Sequence, residues 1–299
     1  MDTPVVLQTR LPAKKEAGGP VYESYDLGEQ LLIVATDRLS LVDAVFAQGI
    51  PLRGQALTSL SAYWYQETTA LFPGYFLTTD LAELPASLRP YQAQLAGRSL
   101  LARKTHRLNF SCLVRGYLNA PAWREYEQSG TVGEQKLPVG LRMAERLPEP
   151  IVTPLFRAPD GRQTPTTQDE MKNHLGEDLG QALVEVSQAL YAFAATSTLD
   201  RGIIIADTRI AFGLLGHQLL VIDELLTPDS SRLWAVGDYA PGKLPPSFDK
   251  QLVMEYLAQQ QWKKSMPLPS LPAAVIAQTS ERYRELLLWL TGIELGEAL

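Results

Sequence analysis

Arg201–Trp234 reads RGIIIADTRIAFGLLGHQLLVIDELLTPDSSRLW, and the fold is decided here. Ile203-Ile204-Ile205 is a β-branched run suited to a buried strand, and Asp207 stands at its exit. Gly213 and Gly216 bracket a turn, and Leu219 to Ile222 form the return strand. Asp223 and Glu224 close that strand. Thr227-Pro228-Asp229-Ser230-Ser231-Arg232 then gathers turn formers, hydroxyls and a guanidinium. Acids at the ends of adjacent strands, facing an arginine-bearing loop, make a frame for a magnesium–phosphate site. The same spacing fits a plain hairpin whose acids cap turns, because Asp is common there. Spacing leaves both readings open.

Working outward, Gly19 to Tyr25 and Leu31 to Thr36 flank the turn Asp26-Leu27-Gly28 and read as a β-hairpin. A helix is expected from about Thr58 to Leu71, with Leu57, Leu60, Ser61, Trp64 and Tyr65 on its core face. Leu100 to Lys104 reads as a short strand, and Cys112-Leu113-Val114 as another with Arg115 at its end. Thr167-x-x-Glu170 is a capping box. Met171, Leu175, Leu179, Leu183, Val186, Leu190 and Phe193 then predict one long amphipathic helix.

Composition narrows the class. At 299 residues and 45% apolar content the chain has the makeup of a globular protein of one large or two moderate domains. No apolar run approaches the ~18 residues of a membrane span, and the N-terminus lacks an apolar signal core. A single cysteine, Cys112, excludes an internal disulfide and predicts a cytoplasmic setting. A net charge of −6 without a basic block argues against a nucleic-acid partner. His106, His174 and His217 have no metal-ligand spacing. The partner expected is a small molecule; oligomeric state is open.

Asp207-Thr208-Arg209-Ile210-Ala211-Phe212-Gly213 and Asp223 to Trp234 resemble the DT-K-x-E-FG and DE-x-x-TPDSSR-(F/L)W blocks of the SAICAR synthetases. These are purine-pathway ligases that use ATP to join aspartate to a carboxyaminoimidazole ribonucleotide. Asp37-Arg38-Leu39-Ser40 with Asp43, Ile50 to Thr58, Arg115-Gly116-Tyr117-Leu118 with Trp123, Tyr239 to Lys243 and Ser247-Phe248-Asp249-Lys250-Gln251 extend the resemblance over roughly residues 19–292. It implies an α+β, two-lobed architecture related to ATP-grasp and kinase folds, with antiparallel sheets flanked by helices. Residues 1–18 would be a loosely packed leader, 19–105 an N-terminal lobe with the phosphate-loop hairpin, and 106–299 a C-terminal lobe with the substrate cleft and last helices.

The resemblance also marks departures. The family's phosphate hairpin GK-x-RD-x-Y has Pro20 for its Lys, Tyr22 for its Arg and Glu23 for its Asp. The Glu of the DTK block is Ala211, leaving Asp223 as a metal ligand without its partner. The Glu of ECVVRGYL is Ser111, and the Gly-Ser that follows is Ala120-Pro121. The polar STKA and GHDE segments become Leu155-Phe156-Arg157-Ala158 and an Arg-Gln-Thr run. What remains implies Asp207, Asp223 and Arg209 as catalytic groups. Arg115, Asp229, Ser230, Ser231, Arg232, Tyr22, Phe156 and Lys250 would bind substrate. No cofactor is fixed; Mg-ATP is implied if the family activity is retained.

Three functions fit. The favoured expectation is a paralogue whose cleft serves a different carboxylate or heterocycle in specialised metabolism, with or without ATP, because the losses cluster on ATP, metal and aspartate handling. The alternative is the ATP-dependent amide ligase itself, with other cations such as Arg53 and Lys104 covering the phosphates. The third is a non-catalytic ligand-binding protein.

Overall fold

The computed structural model describes residues 4–16, 19–41, 44–248 and 250–295. Two antiparallel sheets carry the molecule. The first uses β1 (Lys14–Lys15), β2 (Tyr22–Asp26), β3 (Gln30–Ala35), β6 (Phe76–Thr78) and β7 (Ser99–Arg103) in the order β1-β2-β3-β7-β6. A separate ribbon, β4 (Arg38–Leu41) with β5 (Ala44–Gly49), and helix α1 (Arg53–Thr68) lie between its third strand and its edge in the chain. Short α2 (Gln92–Leu95) precedes β7.

The second sheet begins with β8 (His106–Tyr117). Then come α3 (Ala120–Ser129), the small ribbon β9 (Thr131–Val132) and β10 (Gln135–Lys136), β11 (Arg146–Arg157) and β12 (Gln163–Pro165). Helices α4 (Gln168–Leu175) and α5 (Glu177–Leu199) lead to β13 (Ile203–Leu215), β14 (Gln218–Ile222) and β15 (Ser231–Ala235). The strand order is β12-β11-β8-β13-β14, and β15 also pairs with β13. Helices α6 (Gln251–Gln259) and α7 (Ala273–Thr291) close the chain.

The opening stretch is this sheet's centre. β13 runs between β8 on one side and β14 and β15 on the other. It is buried on both faces, which is why the apolar runs Ile203 to Ala206 and Ile210 to Phe212 flank the polar Asp207-Thr208-Arg209. The turn to β14 is the pair Gly216-His217, with Gly216 at φ 59°, a left-handed conformation glycine adopts without strain. Gly213 does not bracket that turn; it pairs with Leu220 inside the ladder.

The α+β architecture with antiparallel sheets stands as expected, and several local expectations change. The helix placed from Thr58 begins at Arg53, because Leu52 takes a left-handed conformation and starts it one turn earlier. The single long helix is two: the Thr167–Glu170 capping box forms, but Gly176 (φ 90°) ends α4 and starts α5. The leader is packed where it is described. Thr9 is buried and donates to Glu23, Val6 N–H donates to Asp37, and β1 extends the first sheet. Asp43 and Asp249 lie outside the described residues.

The last helices return to the N-terminal half. Val253 and Leu257 of α6 and Tyr283 of α7 share a buried cluster with Ala35, Leu39, Phe46, Ile50 and Leu57. The largest cluster joins Trp64 and Tyr75 to Val114, Ile205, Phe212, Leu225 and Leu287. The cores of the two sheets are therefore continuous behind the cleft. Among the described residues no helix is long and apolar enough to cross a membrane.

Candidate functional site

Between the two sheets lies a cavity of about 340 Å³, within the range of small-molecule sites. Its roof is the start of the β2–β3 hairpin: Gly19, Pro20, Val21, Tyr22 and Ser24. Ile33, Leu57, Tyr75 and Leu100 make apolar walls, and its polar end carries Arg107, Arg157, Arg209, Asp223, Glu224, Asp229 and Lys250.

Asp223 follows β14 with φ 68°, a strained left-handed conformation that Asp tolerates better than most residues. Its backbone carbonyl accepts from Tyr65 Oη at 2.7 Å. Its carboxylate pairs with Arg107 of β8 through Oδ1 and with Arg209 of β13 through Oδ2, the latter at 3.8 Å. Arg107 and Arg209 come from neighbouring strands whose pairing shifts register between Ala211 and Gly213, a bulge of the kind that re-aims side chains. Arg157, at the end of β11, is half-buried in the same cavity. Burial disfavours its charged form, and the like charge of Arg107 adds to that.

The next two acids are held from below. Glu224 accepts from Tyr22 Oη at 2.9 Å and from Thr227 Oγ1 at 2.5 Å. Burial raises its pKa, and the neighbouring Asp229 charge adds to the effect. Asp229 pairs with fully buried Arg53, with Lys250 at 3.1 Å, and accepts from Tyr283 Oη at 3.0 Å. Burial alone would raise its pKa, but Arg53 and Lys250 outweigh it and hold the carboxyl low.

A second polar cluster forms around Asp207. This residue lies inside β13 rather than at a strand exit, and it pairs in register with Arg115 of β8 and Arg232 of β15. Its Oδ2 accepts from Arg232 Nη1 at 3.0 Å and from Asn119 Nδ2. Arg115, also interior to its strand, donates to Thr153 Oγ1 at 2.8 Å. Its buried Nε has no hydrogen-bond partner among the described residues. Pro121 stands in the first turn of α3, whose N-cap is Asn119. Ser231 bonds Thr208 across the strands at 2.8 Å, and Ser230 bonds the Thr227 backbone, so both hydroxyls shape the loop.

The structure thus brings Tyr22, Arg209, Asp223, Asp229 and Lys250 to one cavity, and Arg115, Asp207 and Arg232 to a separate cluster. Phe156 joins neither: its ring packs on Phe110 and His174. Arg53 and Lys104 do not cover phosphates either. Arg53 is inside the protein, donating to the Thr36 and Arg38 carbonyls as well as pairing with Asp229, and Lys104 pairs with Asp26. The residues missed from sequence are Arg107 and Arg157. No motif marks Arg107, because its place beside Asp223 comes from strand pairing 116 residues apart.

A family model for SAICAR synthetase matches residues 17–269. The chain belongs to the SAICAR synthetase family. The phosphoribosylaminoimidazole-succinocarboxamide synthase of Syntrophotalea carbinolica is 43% identical over 293 residues, covering 97% of this chain and 99% of that one. The enzyme of that name from Geobacter metallireducens is 41% identical over 290 residues, covering 96% and 98%. SAICAR synthase from Saccharomyces cerevisiae, solved in complex with SAICAR, superposes with a TM-score of 0.89 at 32% identity, covering 98% and 100%. These end-to-end relatives overturn the favoured expectation of a divergent paralogue repurposed for specialised metabolism. They support the synthetase reading kept as its alternative.

A magnesium ion does not fit the residues present. Asp223 is engaged by two arginines, Ala211 and its cross-strand neighbour Ser111 offer no carboxylate, and Glu224 and Asp229 are each tied to their own donors. Among the described residues no group of three His, Cys, Asp or Glu side chains could hold a metal.

Proposed function

We propose that this chain is an ATP-dependent amide ligase that joins the amine of aspartate to the carboxylate of a carboxyaminoimidazole ribonucleotide, giving SAICAR. The observation that carries this reading is the cavity's polarity: apolar walls at Val21, Ile33, Leu57 and Leu100, and guanidiniums at Arg107, Arg157 and Arg209. A purine base suits the apolar end, and a triphosphate suits the cationic one.

In this reading the phosphate-neutralising charge has moved. The hairpin roof, with Pro20 and Tyr22, covers the nucleotide and excludes water, and the strands of the second sheet supply the cations. The ribonucleotide phosphate would satisfy the unpartnered Nε of Arg115, with Arg232 beside it. Asp207 fixes Arg232 and, by its charge, offsets part of the burial that lowers the Arg115 pKa.

The chemistry then runs in two steps. A carboxylate oxygen of the ribonucleotide attacks the γ-phosphorus, ADP leaves, and an acyl phosphate forms. The aspartate amine attacks the acyl carbon, inorganic phosphate leaves, and the amine loses a proton. Guanidiniums at fixed positions stabilise the charge that builds on the transferring phosphoryl group.

The test is ADP release by the purified protein, assayed with the ribonucleotide and aspartate together and with each omitted. The ligase reading requires ADP release that depends on both and SAICAR as product. Absence of SAICAR at millimolar substrates, with ATP binding undetectable by calorimetry, would sink it.

A further inference from the structure

Three guanidiniums surround one carboxylate at the polar end of the cavity. Arg107 and Arg209 both pair with Asp223, and the Arg157 guanidinium, which feels the Asp223 charge, makes no direct hydrogen bond or ion pair among the described residues. Within this cluster three positive charges and one negative leave two, the charge of a single divalent ion; the other two acids of the lining, Glu224 and Asp229, are offset in number by Lys250 and buried Arg53. The surplus is built in: Arg107 is held on β8, Arg209 on β13 and Arg157 at the end of β11, three adjacent strands of one sheet.

We propose that the Arg107–Arg157–Arg209 cluster is a polyphosphate subsite whose fixed charge replaces a divalent cation, so that nucleotide binds this chain without magnesium. The inference rests on the ligase reading for the identity of the nucleotide, and on the geometry for its independence of metal.

Two physical arguments support it. A magnesium ion at Asp223 would have to displace two guanidiniums and would then face three like charges within one cavity. A phosphate chain arriving alone relieves the same repulsion and offers the planar, multi-oxygen acceptor that guanidiniums bind best. Burial and the neighbouring arginine also make the Arg157 cation costly to hold, which a bound anion would reverse.

The experiment is calorimetric titration of the full chain with ATP, once in EDTA and once in excess magnesium chloride. Dissociation constants in the two buffers should agree within about threefold. Arg157→Gln leaves the Asp223 pairs in place and should weaken binding in EDTA by about tenfold or more. Arg107→Gln frees Asp223 Oδ1 and should both weaken binding in EDTA and make it magnesium-dependent. Thermal melts of the unliganded variants check that each folds.

Binding seen with magnesium alone, or tightened by it tenfold or more, overturns this inference and leaves the ligase reading standing. Unchanged EDTA binding in a folded Arg157→Gln variant overturns it too. No ATP binding in either buffer removes both readings together.

Discussion

Tyr22 and Glu224 are 202 residues apart in the chain, and the Tyr22 hydroxyl donates to the Glu224 carboxylate at 2.9 Å. One belongs to the roof of the cavity, the other to the loop after β14. Where the family pattern places an arginine in the hairpin, this chain places a neutral donor whose partner is a buried acid. The contact ties the two sheets together across the cleft.

Tyr22→Phe removes that donor and leaves Glu224 with Thr227. A buried acceptor that loses one donor should destabilise the fold by about 1–3 kcal/mol. Urea denaturation should show a lower midpoint at an unchanged slope. An unchanged midpoint would mean that the hydroxyl contributes nothing to holding the hairpin.

Asp229 should matter more. It is the shared acceptor of Arg53, Lys250 and Tyr283, and Arg53 is fully buried. Asp229→Ala strands that guanidinium and should cost about 3–5 kcal/mol, read from the same denaturation curves.

The same pair sets a pH dependence. The folded-state pKa of Asp229 lies below its ordinary 3.8, near 2. The stability it contributes is therefore full above the unfolded value and is lost as pH falls from about 4 towards 2. Asp229→Asn should lack this increment: its deficit against the native chain is constant at neutral pH and shrinks on acidification. A deficit independent of pH down to 2 would contradict the assignment.

Gly116 probes the packing under the second cluster. A Cβ there would collide with Tyr191 Oη, which donates to the Ile205 carbonyl at 2.8 Å. Gly116→Ala should cost about 1–3 kcal/mol from overpacking. Combining it with Tyr191→Phe should recover part of the loss, a coupling expected of side chains in contact. Strict additivity would show that the backbone, not the tyrosine, absorbs the strain.

Arg115→Ala tests the proposed contact of its unpartnered Nε with the ribonucleotide phosphate. Removing one charge-assisted contact should raise the KM for the ribonucleotide about tenfold to a hundredfold, with the KM for ATP nearly unchanged. Equal effects on both would place Arg115 at the nucleotide instead.

Much was legible in the chain itself. Ile203 to Ile222 announced a hairpin by its β-branched runs and glycine turn, and those strands are the centre of the second sheet. The Thr167–Glu170 capping box was readable because capping is a local matter of one turn. The family was readable from blocks such as Thr227 to Trp234, since a contiguous motif is read without knowing any tertiary contact. Pro20, Tyr22 and Ala211 stand out in a single sequence as missing charges, whereas the cavity's own cations, Arg107, Arg157 and Arg209, lie on three separate strands.

Which side chains meet at the cavity is settled by tertiary structure. Arg107 meets Asp223 because β8 and β13 pair with a register shift beside Gly213, and nothing in either local sequence states that register. Phe156 and Arg157 are neighbours in the chain, yet one packs against His174 and the other lines the cavity, because successive strand side chains face opposite ways. Arg53 was equally ambiguous as a cation in a loop-like segment until α7 brought Tyr283 over it and the Asp229 loop closed beneath. Sequence determined the elements and the family through local propensity and contiguous motifs. Which charges meet was decided by pairing between strands far apart in the chain, where Coulomb energy depends on distances that spacing in the sequence does not encode.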